Sequence, residues 1–220
     1  MILSYASRTG SGRTLKALRE HGWRILVSAT GIHRTEGFPY AVDNGAWTAF
    51  NQKRPFDEVL FATVLKKLGR GADWVVVPDI VEGGLKSLEF SLSWLPRVLE
   101  HSGRALIAVQ DGMSESDVSH LLGPYVGLFV GGSTDWKLRT MSAWGLLSRA
   151  RGCWLHIGRV NSERRIALCA LAGAHSFDGT SATKFSVNIP RLTRARRRFS
   201  CTDWSLFQHL GGHHASRDHL

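Results

Sequence analysis

Short apolar runs recur along this chain, and all but the first two close on an acid, an amide or a glycine. Ile2-Leu3-Ser4-Tyr5-Ala6 is the first, residues 24–29 the second, and Tyr40-Ala41-Val42 the third, ending at Asp43. Trp74-Val75-Val76-Val77 runs into Pro78-Asp79, and Ala105-Leu106-Ile107-Ala108-Val109 into Gln110-Asp111-Gly112. Val126-Gly127-Leu128-Phe129-Val130 ends at Gly131-Gly132, Trp154-Leu155-His156-Ile157 at Gly158, and Ser176-Phe177 at Asp178-Gly179. Unbroken apolar runs of this length predict parallel strands covered on both faces.

The intervening segments have helical spacing. Residues 55–68 place Val59, Leu60, Val64, Leu65 and Leu68 on one face. Residues 13–21, 85–100, 114–122, 136–149 and 162–172 also read as helices, and Pro96 predicts a bend or break in the third of these six segments. The Ser-Glu-Ser-Asp run at 114–117 suits a helix N-terminus. Strands alternating with helices mean βαβ units. Seven or eight strand signals without a linker predict one α/β domain, a compact (β/α)8 barrel over residues 1–190, followed by a basic, histidine-containing segment over 191–220. In such a barrel the active site lies at the C-terminal strand ends, where the acids, amide and glycines fall here.

A length of 220 residues is ample for one such core, and 43% hydrophobic residues is ordinary for a globular protein. No apolar run is long enough to span a bilayer, and the N-terminus lacks the basic start of a signal peptide. Cys153, Cys169 and Cys201 lie far apart, which predicts reduced thiols and a cytoplasmic setting. The formal charge is +10, and Arg191, Arg194, Arg196, Arg197 and Arg198 fall within eight residues. Such a cluster predicts phosphate contact, with nucleic acid the first candidate partner. Thr9-Gly10-Ser11-Gly12-Arg13-Thr14 lacks the spacing of a nucleotide-binding phosphate loop and reads as a glycine turn into a helix.

The strand ends carry a coherent set of polar groups. Ionised Asp79 accepts, Gln110 donates and accepts, and the Gly131 and Gly132 amides offer backbone donors. Guanine presents the matching edge, two donors and one acceptor, although other small ligands would also fit. Asp178 at a strand end beside a glycine suits a nucleophile or base. Taken singly, each of these acids also suits a cap or turn, and His156 inside an apolar run suits a hydrogen-bonded core residue.

In order, Asp43-Asn44-Gly45-Ala46-Trp47, Val77-Pro78-Asp79, Val109-Gln110-Asp111-Gly112, Phe129-Val130-Gly131-Gly132, His156-Ile157-Gly158 and Ser176-Phe177-Asp178-Gly179-Thr180 resemble the tRNA-guanine transglycosylase superfamily. The resemblance covers about residues 40–185. It implies Asp178 as the nucleophile at C1′, Asp43 as general acid/base, and Asp79, Gln110 and Gly132 as base-recognition groups, with Gly131, His156 and Gly158 lining the pocket. The tRNA enzymes carry a C-x-C-x2-C zinc site after the barrel, and this chain has only Cys201 there. Cys201, His209 and His213 are loosely spaced and short of the four ligands a structural site needs, so neither a metal nor a cofactor is expected. Without that subdomain the resemblance points to the phage and bacterial branch that modifies DNA with 7-deazaguanine bases such as 7-cyano-7-deazaguanine. The expected partners are therefore DNA, with RNA as the alternative, and a free 7-deazaguanine. A non-catalytic nucleic-acid-binding barrel and a barrel enzyme for a phosphorylated metabolite remain open alternatives.

Overall fold

The computed structural model describes residues 1–200. Eight strands close into a barrel in chain order: β1 Leu3–Ser7, β2 Arg24–Ser28, β3 Tyr40–Asp43, β4 Val75–Val76, β5 Ala105–Val109, β6 Val126–Val130, β7 Leu155–Ile157 and β8 Ser176–Gly179. Every pairing is parallel, and β1 closes on β8 from Leu3↔Ser176 to Ala6↔Gly179. The chain is therefore the (β/α)8 barrel that its apolar spacing predicts.

Alternation along the strands explains the unbroken apolar runs. One set of side chains, including Val27, Val42, Val75, Ile107, Val109, Leu128, Ile157 and Phe177, packs outward under the helices. The other set, Tyr5, Leu26, Ala41, Trp74, Val76, Leu106 and Ala108, fills the barrel interior. At the N-terminal end Asp73 plugs the barrel, accepting from the Tyr5 hydroxyl at 2.9 Å and from Arg24 at 2.5 Å. Both layers need apolar residues, so neither face of a strand reads as polar until its C-terminal end.

Seven helices cover the outside or lie over the loops: α1 Gly12–Glu20, α2 Ala46–Asn51, α3 Glu58–Leu68, α4 Leu85–His101, α5 Glu115–Val118, α6 Thr134–Arg151 and α7 Glu163–Leu171. Two more, α8 Ser181–Lys184 and α9 Ile189–Ser200, follow β8. The β2–β3 crossover has no helix. Residues 29–39 run irregularly there, anchored by buried Phe38 under the Arg19 guanidinium at 4.5 Å and by a 2.7 Å Arg8–Glu36 ion pair. The expected break at Pro96 does not occur, and α4 runs through it. Pro96 and Leu92 both lie on the exposed face, so the carbonyl that loses its helical partner faces solvent. The segment after Gln110 folds as predicted at its start, where Ser114 and Asp117 form a reciprocal capping box.

The boundary expected at 190/191 falls inside α9, which packs on α7 and completes the helical ring with Leu192 and Ala195 buried. This changes the reading of the arginine run. Trp23 donates to Thr193 at 2.8 Å, and Arg196 is buried, donating to Ser4 Oγ at 2.6 Å and to the His21 and Gly22 carbonyls at 2.9 and 3.1 Å. Those partners lie at the N-terminal end of the barrel, so α9 descends away from the strand C-termini. Arg196 is therefore corrected from a nucleic-acid contact to an anchor of α9. Arg191 pairs with Glu163 at 3.0 Å, while Arg194, Arg197 and Arg198 are exposed. Cys201, His209 and His213 lie outside the described residues. Among the described residues no helix is long and apolar enough to cross a membrane.

The closest helix approach tests this packing. A methyl on Gly145 of α6 would sit 1.9 Å from the Ala172 carbonyl oxygen just beyond α7. Gly145→Ala is expected to cost about 3 kcal/mol and to lower the melting temperature by roughly 10 °C. Gly103→Ala, where a methyl meets nothing within 4 Å, serves as the neutral control in the same thermal unfolding series, and equal melting of the two variants contradicts the packing.

Candidate active site

The inward-facing alternation that fills the barrel with apolar groups continues past the last ladder bonds, and there it presents polar ones. Asp43 ends β3, Gln110 follows β5, Gly158 follows β7, and Asp178 lies within β8. Together with Asp79 beyond β4, they meet at the C-terminal mouth.

Asp178 is buried and held from two sides. His156 Nε2 lies 3.1 Å from its Oδ1, and the backbone N–H of Arg159 donates to the same oxygen at 3.2 Å. The imidazole is wholly buried between Trp74, at 4.5 Å between ring centroids, and Phe129, stacked at 4.9 Å. Its Nδ1 lies 2.8 Å from Ser176 Oγ, which also accepts from the Trp154 indole at 2.9 Å. One assignment satisfies this chain: Trp154 N–H to Ser176, Ser176 O–H to Nδ1, and Nε2–H to Asp178. Burial pushes the imidazole below its ordinary range, against the pull of Asp178, so the neutral form with its proton on Nε2 fits. Both bonds fall on Oδ1, and Oδ2 has no partner among the described residues. With 10% of the side chain still open, Oδ2 is the atom left to meet a ligand.

Asp43 is perturbed in the opposite sense to a solvated acid. Burial pushes its carboxyl up to about 7, and repulsion from Asp178 and Asp79 adds to this, while bonds from Ser28 and the Gly45 amide oppose it. Asp79 is also raised by burial, to about 6, against a 2.7 Å bond from Asn44. Asn44 is buried and braces the site: it also donates to the Val77 carbonyl at 2.8 Å and accepts from the Ala46 amide at 2.8 Å. Ser87 and Ser91 of α4 pin the Asp79 loop through the Ile80 amide and the Pro78 carbonyl, at 3.0 and 2.8 Å. Gln110 is buried and oriented by a 2.9 Å bond to the Ile80 carbonyl, which leaves its side-chain oxygen without a partner among the described residues.

The glycines divide. The Gly131 amide donates to Val109 at 2.9 Å in the barrel ladder, so the expected free donor at 131 is corrected to a ladder bond. Gly132 has φ +65°, and a Cβ there would lie 2.6 Å from Asp111 Oδ2 and 2.7 Å from the Trp136 ring. Its carbonyl accepts from the Arg159 guanidinium. Asp111 fixes this turn by accepting from the Ser133 amide and hydroxyl at 2.6 and 2.7 Å. Gly158 is required because a Cβ would meet the Phe129 ring at 2.9 Å. A cleft of about 340 Å³ opens beside the mouth between α2 and the β4 loop, and Asp79 is the one predicted site residue lining it.

The structure thus brings Asp43, Asp79, Gln110, Gly132, His156, Gly158 and Asp178 to one mouth, and it sets Arg196 of α9 apart from it. Among the described residues no group of three or more metal-binding side chains is clustered. No family model and no curated protein matches the chain. Two site residues lay hidden in the sequence. Asn44 had no signal beyond its place between an acid and a glycine. Lys137 had one, since it shares the buried face of α6 with Met141, Trp144 and Ser148 at spacings of four, three and four. Its buried ammonium donates to the Gly158 carbonyl, and burial together with repulsion from Arg159 pushes it down to about 8.

The Asp43 perturbation has a measurable consequence. Its carboxyl titrates near 7 when folded and near 4 when unfolded, so the folded state binds more protons across that window. Stability from this group is therefore lost as pH rises from about 4 to 7. Asp43→Asn removes the loss and is expected to gain on the wild type from pH 5 to pH 8, by on the order of 3 kcal/mol. Urea unfolding at both pH values measures the gap, and a gap that stays constant or shrinks contradicts the shared burial of these acids.

Proposed function

We propose that this protein is a DNA-guanine transglycosylase, which exchanges guanine in DNA for a 7-deazaguanine base through a covalent aspartyl-nucleotide intermediate. The observation that carries the reading is the pairing at the mouth. Asp178 is buried with one oxygen fixed and the other without a partner among the described residues, and its charge helps to raise the proton affinity of Asp43.

The chemistry follows from these two states. Oδ2 of Asp178 attacks C1′ as the bond from C1′ to guanine N9 breaks, passing through an oxocarbenium-like state that a carboxylate stabilises. The departing guanine takes a proton from Asp43, whose value near 7 suits both giving and receiving one at neutral pH. The incoming base then returns its N9 proton to Asp43, attacks C1′ and expels Asp178. Two displacements leave the configuration at C1′ retained, and no net proton is consumed. His156, as a neutral donor to Oδ1, keeps the attacking oxygen aimed. Asp79 and the Gln110 oxygen suit donors on the base edge, and the Gly132 amide suits an acceptor. A duplex target would be flipped from the stack, at a cost of a few kcal/mol.

The test is incubation of the full chain with labelled 7-cyano-7-deazaguanine and either DNA or tRNA. Incorporation is expected in DNA only, with Asp178→Asn at least about 10³-fold slower and Asp43→Asn slower by about 10² to 10⁴. Incorporation by Asp178→Ala at the wild-type rate overturns the covalent role, and incorporation into tRNA alone reassigns the substrate.

A further inference from the structure

Among the described residues four non-glycine residues have positive φ: Glu36, Lys53, Glu82 and Arg159. The first three lie in turns. Arg159, at φ +60°, lies at the mouth between β7 and Asp178. A left-handed arginine is disfavoured where glycine would be free of strain, so its side chain needs a reason to be there. Such strain gathers where surrounding contacts over-determine it.

Three contacts do so. The Arg159 backbone N–H donates to Asp178 Oδ1 at 3.2 Å. Its guanidinium donates to the Gly132 carbonyl across the mouth. The same group lies 4.5 Å over the ring of Trp47, which is 44% exposed and stacked on Phe50 of its own helix. The Lys137 ammonium holds the preceding Gly158 carbonyl. A single residue therefore ties the ends of β6 and β7 to α2 and passes beside the candidate nucleophile.

We propose that Arg159 is a positioning residue whose guanidinium holds the place of a planar base on Trp47 until that base displaces it. The planar delocalised cation covers the aromatic face and occupies the Gly132 carbonyl. A flat heterocycle with an N–H edge offers both partners the same two interactions. Its backbone N–H needs no side chain, so Asp178 keeps that support when the guanidinium moves. That the planar ligand is a guanine or 7-deazaguanine rests on the function proposed above.

Arg159→Gly tests the proposal cleanly, since it keeps the backbone N–H, relieves the positive φ and deletes the cover. Guanine and 7-cyano-7-deazaguanine binding is measured by calorimetry on the wild type, Arg159→Gly and Arg159→Lys. Loss of the cation–aromatic contact and the carbonyl bond is expected to tighten binding to Arg159→Gly by roughly tenfold. The KM for the free base is expected to fall by a larger factor than kcat changes. Where the wild type binds the base, equal or weaker binding to Arg159→Gly overturns the proposal, as does a lost kcat at unchanged KM.

A second readout needs no ligand. In 5-fluorotryptophan-labelled protein, with the Trp47 line assigned by Trp47→Phe, Arg159→Gly is expected to shift that line and increase its solvent-isotope shift. An unmoved line overturns the cover. If neither base binds either protein while the line shifts, the cover stands and the transglycosylase reading falls.

Discussion

Two carboxylates held in one desolvated mouth are the constraint around which this barrel is arranged. Asp178 and Asp43 come from β8 and β3, and closure of the ring brings them to one mouth, where the charge of Asp178 acts on Asp43. A buried carboxylate without partners is costly, and two like charges together are more so. The structure resolves the conflict unequally. Asp178 receives two donors on one oxygen, while Asp43 is left with a raised affinity for a proton. In the function proposed above Asp178 is the attacking acid and Asp43 the proton carrier, a division that environment and not residue type would set.

The support for that division runs down through the barrel. Trp154, Ser176 and His156 pass one directed set of hydrogen bonds up to Asp178, and Trp74 and Phe129 hold the imidazole between rings. On the other side Asn44 joins the Asp43 turn to Asp79, and two buried serines of α4 fix the Asp79 loop. These groups are polar atoms with satisfied partners inside an otherwise apolar wall, the condition under which a buried network orders a site instead of weakening it.

Much of this was legible in the chain. Unbroken apolar runs gave the strands because parallel strands are buried on both faces, and their polar endings marked the mouth because an inward side chain there meets no packing partner. The rest depended on tertiary context. Pro96 was tolerated because it falls on the exposed face of α4. Gly131 and Gly132 look alike in sequence, yet ladder geometry occupies the amide of one and a positive φ turns the other. Arg196 reads as part of a charged cluster, but helical phase turns it inward while Arg197 and Arg198 stay outside. Lys137 shows the converse, a lone charge that helical phase turns inward beside Met141 and Trp144 of α6.

The proposed function turns on one bond, an ester that would form between Asp178 and C1′. The most direct measurement withholds the incoming base, incubates the full chain with guanine-containing DNA, and examines the denatured protein by intact mass and peptide mapping. The account predicts a species heavier by the DNA less guanine, alkali-labile, carried by the peptide that contains Asp178, and absent from Asp178→Ala. An adduct on another peptide, or base exchange that proceeds with no adduct while Asp178→Ala remains active, contradicts it.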